Sequence, residues 1–297
     1  MNILITGGNG FIGKELTNHL DNAGHNITVL GRKAPEKLVD FVKCDMLADE
    51  VTPEMLVGQD AIIHLVGTPV FTRWTKDKKQ MMWRSRIETA QKLIDAILAM
   101  PISKRPKVVV SASGSGYYGE KGDTILGEDA TAGDGYLAQI CVAWEAVWAP
   151  LEAVGIRVVS MRTGVVIGRG GGIMGALLPV YKLWLGPIIG TGNEYFSWVG
   201  MHDLVCMYEF ALNTKAISGP VNAVSPNPVT TREFAKTIGR VVHRPVFVPS
   251  PLWLMDIALN GAAKDGFASA RVVPTKLVAA GFVAEQGDLV AAIGVVV

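Results

Sequence analysis

The sequence predicts an α/β protein in which a doubly wound parallel sheet is followed by a smaller, mixed C-terminal lobe. Three observations carry this. Short β-type runs alternate with helical stretches over residues 2–224. A glycine-rich turn joins the first run to the first helix. After Gly168 the regular alternation weakens, and short helices with glycine and proline loops take over.

The first run, Ile3-Leu4-Ile5 within Asn2–Thr6, reads as a short buried strand. Gly8, Gly10 and Gly13 then form G-x-G-x-x-G, and Gly10–Ala23 continues at helical spacing. Gly8 is expected to permit the tight turn, Gly10 to let the backbone approach a diphosphate, and Gly13 to let helix and strand pack closely. The unpaired N–H groups of the first helical turn, at the positive end of the helix, would face the phosphates. Strand, glycine turn and helix in this order is the context a dinucleotide fingerprint requires, so the first lobe is read as Rossmann-type. A turn with a purely structural role is the plainer alternative. Gly7, Gly10, Phe11, Ile12 and Gly13 are the candidate cofactor contacts of this segment.

Further strands are expected at Asn26–Leu30, Phe41–Cys44, Ala61–Val66, Lys107–Ser111, Arg157–Thr163 and Val221–Val224. Helices are expected at Lys76–Met100, Tyr136–Val154 and His202–Asn213. The first of these places Met81, Ile87, Ala90, Leu93, Ile94 and Ile97 on one face. Arg169-Gly170-Gly171-Gly172 reads as a flexible or phosphate-hugging loop, and the tail as short helices at Thr230–Val242, Pro251–Leu259 and Pro274–Ala280. Residues 1–168 are therefore assigned to a dinucleotide-binding lobe, with 200–225 returning to it, and 169–297 to a smaller substrate lobe. The substrate is expected between the two, beyond the C-terminal ends of the strands.

The second strand decides which dinucleotide is preferred. In NAD-binding proteins an acidic residue about 20 residues past the glycine turn binds the ribose hydroxyls. Here the strand ends in Leu30-Gly31-Arg32-Lys33, with no carboxylate. Arg32 offers a fork for a 2′-phosphate and Lys33 a second cation, which favours NADP(H). Two solvated turn charges are the plainer reading. Asp45 and Met46, past the third strand, are placed to meet the adenine, although Asp45 equally suits a cap. Val66, Gly67 and Thr68, past the fourth, are placed near the adenosine ribose and diphosphate.

Bulk composition excludes several classes. The chain carries 28 basic and 27 acidic residues with no basic stripe, so nucleic acid is not an expected partner. Cys44, Cys141 and Cys206 are scattered, as in a reducing cytoplasmic compartment, and neither they nor the five histidines show metal-ligand spacing. A signal peptide is not expected ahead of a strand starting at residue 2. The apolar runs near 173–189 and 247–259 are cut by Pro179, Lys182, Pro187, Pro249, Pro251 and Asp256, which argues against a membrane span.

Several motifs carry a family resemblance. TGGNGFIG, Asp45, His64-Leu65-Val66-Gly67, Ser111-Ala112-Ser113, Tyr117-Tyr118-Gly119 and Arg162-Thr163-Gly164 resemble an extended-type short-chain dehydrogenase/reductase of the sugar-nucleotide epimerase kind. Trp144-Glu145, Asn227-Pro228-Val229-Thr230 and Arg271-Val272-Val273-Pro274 are similar to its atypical epimerase family protein branch. The resemblance implies a Rossmann domain binding NADP(H) and a small C-terminal lobe, without naming a substrate.

The wider superfamily uses a tyrosine and a lysine one helical turn apart, with a serine steadying the substrate oxygen. In this chain Leu137 and Cys141 stand where that pair is expected. Tyr117 and Lys121 have the right spacing, but the glycines at 119 and 122 argue against a shared helix. Ser113, Tyr117 and Tyr118 remain as catalytic candidates, and Arg86 and Arg162 as further cofactor contacts. Each has a structural alternative: a turn serine, packed aromatics, internal ion pairs. His64, in an apolar strand, reads as structural. Two functions follow. One is an NADP(H)-dependent oxidoreductase or epimerase for a small polar, possibly nucleotide-sugar, substrate. The other is a non-catalytic NADP(H)-binding regulator or sensor. Self-association as a homodimer is expected through the helices at 76–100 and 136–154.

Overall fold

The computed structural model describes residues 1–297. Seven strands build the central sheet: β1 Asn2–Thr6, β2 Asn26–Gly31, β3 Asp40–Lys43, β4 Ala61–His64, β5 Val108–Gly114, β6 Arg157–Thr163 and β7 Gly219–Ala223. Their order is β7-β6-β5-β4-β1-β2-β3, and every pair is parallel. The order reverses between β1 and β4, so the connections leaving those strands diverge and open a crevice at their C-terminal ends.

Alternation along each strand sends neighbouring residues to opposite faces. Ile3, Ile5, Val29, Ile63, Val110 and Val159 join one buried core with Leu16, Leu20, Met207 and Tyr208. Leu4, Leu30, Ile62 and Val109 join the other with Leu93, Ile94, Ile97 and Trp148. Helices cover both faces: α1 Phe11–Asn22 and α7 Met201–Asn213 on the first, α3 Ile87–Ala99 on the second. A separate core of Met174, Tyr181, Phe196, Trp198, Phe234 and Ile238 belongs to the C-terminal part. It is built around α6 Gly172–Lys182 and α8 Thr231–Val241, the latter opened by a Thr230–Glu233 capping box.

Four expectations need correction. The stretch Lys76–Met100 is two helices, α2 Lys76–Arg84 and α3, because Met82 O accepts the Arg86 guanidinium at 3.1 Å and Ser85 Oγ at 3.2 Å. The Arg86 amide turns to Trp83 O instead, which breaks the helical ladder. Tyr136–Val154 is also split, into α4 Tyr136–Ala146 and α5 Ala149–Ala153, since Pro150 has no N–H to continue the ladder. β4 ends at His64, not Val66, while β5 runs on to Gly114, not Ser111, because β6 pairs with it that far (Ser113 opposite Arg162, Gly114 opposite Thr163). No helix is long and apolar enough to cross a membrane.

Candidate active site

The glycine turn sits at the mouth of the crevice. Its left-handed residue is Gly7, at φ +75°, not Gly8 as the spacing suggested. Gly8 needs its bare Cα for another reason: a methyl there would lie 2.9 Å from the Val29 side chain. At Gly13 a methyl would stand 2.2 Å from Gly7 O and 2.8 Å from Gly8 Cα, so α1 packs directly on the turn. At Gly10 it would meet only Gly7 O, at 3.2 Å, leaving the outer side open. No side chain caps the first turn of α1. The Phe11 ring, beside Ile12 in that turn, lies against Gly168, Gly171 and Gly172 of the loop that opens α6.

Asn9 ties this turn to the end of β2 by donating from Nδ2 to Lys33 O at 2.5 Å. Arg32 and Lys33 therefore stand beside the uncapped first turn of α1, both exposed. The nearby carboxylates are taken elsewhere, Glu36 by Lys14 at 3.0 Å and Asp21 by Lys37 at 2.7 Å. Past β3, Asp45 Oδ1 accepts from Leu47 N at 3.1 Å, so its side chain caps a turn. Met46 is 4 % exposed and its side chain belongs to the core, not to an adenine contact.

Past β4 the chain runs through Val66, Gly67 and Thr68. Thr68 N donates to Ser85 Oγ at 3.1 Å, and Thr68 O accepts from Arg86 Nη2 at 2.9 Å. A methyl on Gly67 would lie 3.1 Å from the Arg86 guanidinium carbon, and that guanidinium also faces the Trp144 ring at 5.1 Å. Arg86 thus ties this loop from beneath, which corrects its assignment as a cofactor contact. Burial pulls its pKa below the usual arginine value. His64, at the end of β4, is fully buried between Thr6 Oγ1 at 2.8 Å and Thr89 Oγ1 at 3.3 Å. Burial, and behind it the Arg86 charge, holds its pKa down to about 3.

The end of β5 gathers the candidate catalytic side chains. Ser113 Oγ donates to Glu145 Oε1 at 2.8 Å. Arg162 holds the same carboxylate with two bonds, Nε to Oε1 at 2.8 Å and Nη2 to Oε2 at 2.7 Å. Its Nη1 donates to Tyr118 OH at 2.9 Å and Glu128 O at 3.2 Å. Arg162 therefore spends its donors inside the protein and is withdrawn from the cofactor contacts. Burial opposes its charge, but the bonds to Glu145 prevail and raise its pKa. Tyr118 is fully buried, with its hydroxyl donating to Asn222 Oδ1 at 2.7 Å. It is a packing residue and not a proton donor to a ligand. Tyr117, half-buried, lays its ring 3.4 Å from the Arg162 guanidinium. Of the three catalytic candidates, Ser113, 6 % exposed, and half-buried Tyr117 remain. Glu145 was missed as a site residue because it reads as one more helical carboxylate until β5 and β6 bring Ser113 and Arg162 to it.

Helix α4 shows where the usual pair is absent. Leu137 Cβ lies 3.2 Å from a methyl built on Gly116, and Cys141 Sγ 3.7 Å from one on Gly114, so both residues face the end of β5. Burial, and then the Glu145 charge, pushes the Cys141 thiol up to about 11, which keeps it protonated at neutral pH. Lys121 lies off any helix shared with Tyr117, its Nζ donating to Thr131 Oγ1 at 3.4 Å between left-handed Gly119 and Gly122. From the C-terminal part, Asp265 Oδ2 accepts the first-turn amide of Leu137 at 2.9 Å. Trp74 stacks edge-on to Tyr136 at 5.4 Å and donates its amide to Leu259 O at 3.0 Å, fastening the 67–75 loop over α4. No group of three or more His, Cys, Asp or Glu side chains is arranged to hold a metal ion.

Comparison with known proteins places this geometry. The profile of the NAD dependent epimerase/dehydratase family matches residues 3–223. The chain is 36 % identical to epimerase family protein YfhF of Bacillus subtilis, over 97 % of this chain and 95 % of that one. It is 35 % identical to human epimerase family protein SDR39U1 over 84 % of each chain. A crystal structure of the human protein with NADPH superposes with a TM-score of 0.85 at 31 % identity, covering 99 % of this chain and 98 % of that one. UDP-glucose 4-epimerase of Thermotoga maritima, at 16 % identity and a TM-score of 0.77, covering 99 % of this chain and 97 % of its own, shares the fold.

Proposed function

The chain belongs to the NAD dependent epimerase/dehydratase family, and on that premise we propose that it is an NADP(H)-dependent oxidoreductase or epimerase. The substrate we assign is a small polar molecule, held between the lobe of residues 1–168 with 200–225 and the lobe of residues 169–297. The observation that carries the cofactor assignment is the Asn9–Lys33 bond, which sets two unpaired cations beside the uncapped first turn of α1. The residues fit the group. The bare Cα atoms of Gly8 and Gly13 let the turn close on α1, and Gly10 leaves room for a diphosphate. Arg32 and Lys33 would take the 2′-phosphate, Gly7, Gly10, Phe11, Ile12 and Gly13 the diphosphate, and the Val66–Thr68 backbone the adjoining ribose. NADPH in the related human crystal structure supports this reading.

When bound, the cofactor supplies two-electron redox chemistry. The chain's own part is to hold the substrate oxygen at Ser113 and Tyr117 and to shed water beneath the 67–75 loop. The three unpaired cysteines suit a reducing compartment and support a cytoplasmic location. A second reading rests on Leu137 and Cys141: without the tyrosine and lysine, the chain would bind NADP(H) as a signal and act through a partner. Calorimetry with NADPH and NADH, followed by turnover assays on secondary alcohols, ketones and nucleotide-sugars, separates the two. The enzyme reading expects NADPH preference together with oxidation, reduction or epimerisation of a panel member. Tight NADPH binding with a blank panel and a redox-sensitive partner would favour the sensor.

A further inference from the structure

Three groups at the end of β5 form a device that neither the usual tyrosine nor the usual lysine enters. Ser113 points its proton inward, to Glu145 Oε1 at 2.8 Å. The carboxylate cannot swing away, because Arg162 holds both its oxygens. Arg162 is itself fixed by Tyr118 and Glu128 and lies 2 % exposed. With its hydrogen committed, Ser113 Oγ has only lone pairs for a ligand. A substrate hydroxyl can donate to it; a carbonyl oxygen cannot be polarised by it unless the Ser113 proton first comes back. Glu145 stands two helical turns past Leu137 and one past Cys141 on α4, so the carboxylate occupies the same helix as the pair it would replace.

We propose that Ser113 and Glu145 are the proton-transfer pair of this site, Ser113 touching the reacting oxygen and Glu145 acting through it as a positioning and proton-holding residue. The inference rests on the enzyme reading above. In the oxidative direction the substrate hydroxyl donates to Ser113 Oγ. As the carbinol C–H bond breaks and its electron pair leaves with the hydrogen for oxidised NADP, the O–H proton passes to Ser113 Oγ. The proton already on Ser113 passes to Glu145 Oε1, and a C=O bond forms. One hydride and one proton leave the alcohol, and the carboxylate ends protonated. Reduction runs the same steps backwards.

The test uses the full-length protein with Ser113→Ala and Glu145→Gln, each checked for NADPH binding. Ser113→Ala leaves the Glu145–Arg162 pair in place and is the safeguard should Glu145→Gln fold poorly. Difference infrared spectra first locate the Glu145 carboxylate band by its loss in Glu145→Gln. The band is expected to shift in Ser113→Ala; an unmoved band overturns the hydrogen bond on which the pair depends. With any turned-over member of the alcohol and ketone panel, Ser113→Ala is expected to lower kcat by about 10²-fold with KM within a few-fold. Glu145→Gln is expected to lower kcat by a similar factor, again with KM within a few-fold. Retention of wild-type kcat in either variant overturns the proposal while the cofactor reading stands. A blank panel for the wild-type protein overturns both the pair and the enzyme reading; lost NADPH binding by the wild-type protein overturns the cofactor reading itself.

Discussion

Replacing Arg162 by Met tests the buried network most directly. The substitution removes two bonds to Glu145, at 2.8 and 2.7 Å, one to Tyr118 OH at 2.9 Å and one to Glu128 O at 3.2 Å. It leaves the Glu145 side chain 14 % exposed with Ser113 as its remaining partner. At about 1.5–3 kcal/mol for each bond to a charged group, the simple sum would exceed the stability of many domains. The real loss is smaller, because Arg162 also regains its hydration in the unfolded chain and Met fills part of the space. Breaking a buried pair from one side costs about 3–5 kcal/mol, so about 4 kcal/mol is expected here. Urea unfolding followed by circular dichroism should show a midpoint lower by more than about 1 M at an unchanged slope of about 3 kcal/mol/M. The double variant Arg162→Met with Glu145→Leu should regain most of that loss, since neither charge then remains buried. A loss under about 1 kcal/mol for Arg162→Met, or strictly additive losses in the double variant, would refute this account of the network.

Other outcomes follow from the same geometry. Arg32→Ala should weaken NADPH binding by about 10–100-fold and leave NADH binding within a few-fold, read by calorimetry. Gly13→Ala should abolish measurable binding of either coenzyme, because its methyl would overlap Gly7 O at 2.2 Å and force the phosphate turn open. His64 titrates near 3 in the fold and near 6.5 when unfolded, so its contribution is intact above pH 6.5 and fades as pH falls towards 3. That amounts to about 2 kcal/mol at pH 5, and His64→Gln should flatten this part of the stability profile measured by urea titration. Trp184 adopts φ +67° past the end of α6 and is 54 % exposed. Trp184→Gly should therefore raise stability by about 0.5–1 kcal/mol in thermal unfolding.

The cofactor half was legible because its signals are local. Ile3-Leu4-Ile5, the glycines and Arg32-Lys33 lie within one βαβ unit, where backbone sterics tie residue type to position. Even there the left-handed residue was Gly7, since Gly7 and Gly8 both tolerate that conformation and the glycine spacing does not say which adopts it. The catalytic half was less legible because its partners come from distant segments. Arg162 and Glu145 are 17 residues apart, and an ion pair weighed for Arg162 from sequence does not name Glu145 as its partner. Arg86 read as a cofactor contact in the sequence, whereas Met82 O, Ser85 Oγ and Thr68 O claim its guanidinium. The breaks at Ser85–Arg86 and Val147–Trp148 were hidden for a similar reason: apolar periodicity runs straight across them, and only a side chain competing for a backbone carbonyl, or a proline, interrupts the ladder.

The Phe11 ring has three glycines for a socket, and that has a mechanical consequence. Side chains at 168, 171 or 172 would each strike the ring within 3.0 Å, so the segment entering α6 rides on an aromatic that is also part of the phosphate turn. One ring thus joins the glycine turn to the opposite half of the molecule by direct packing, with no room for a side chain between them.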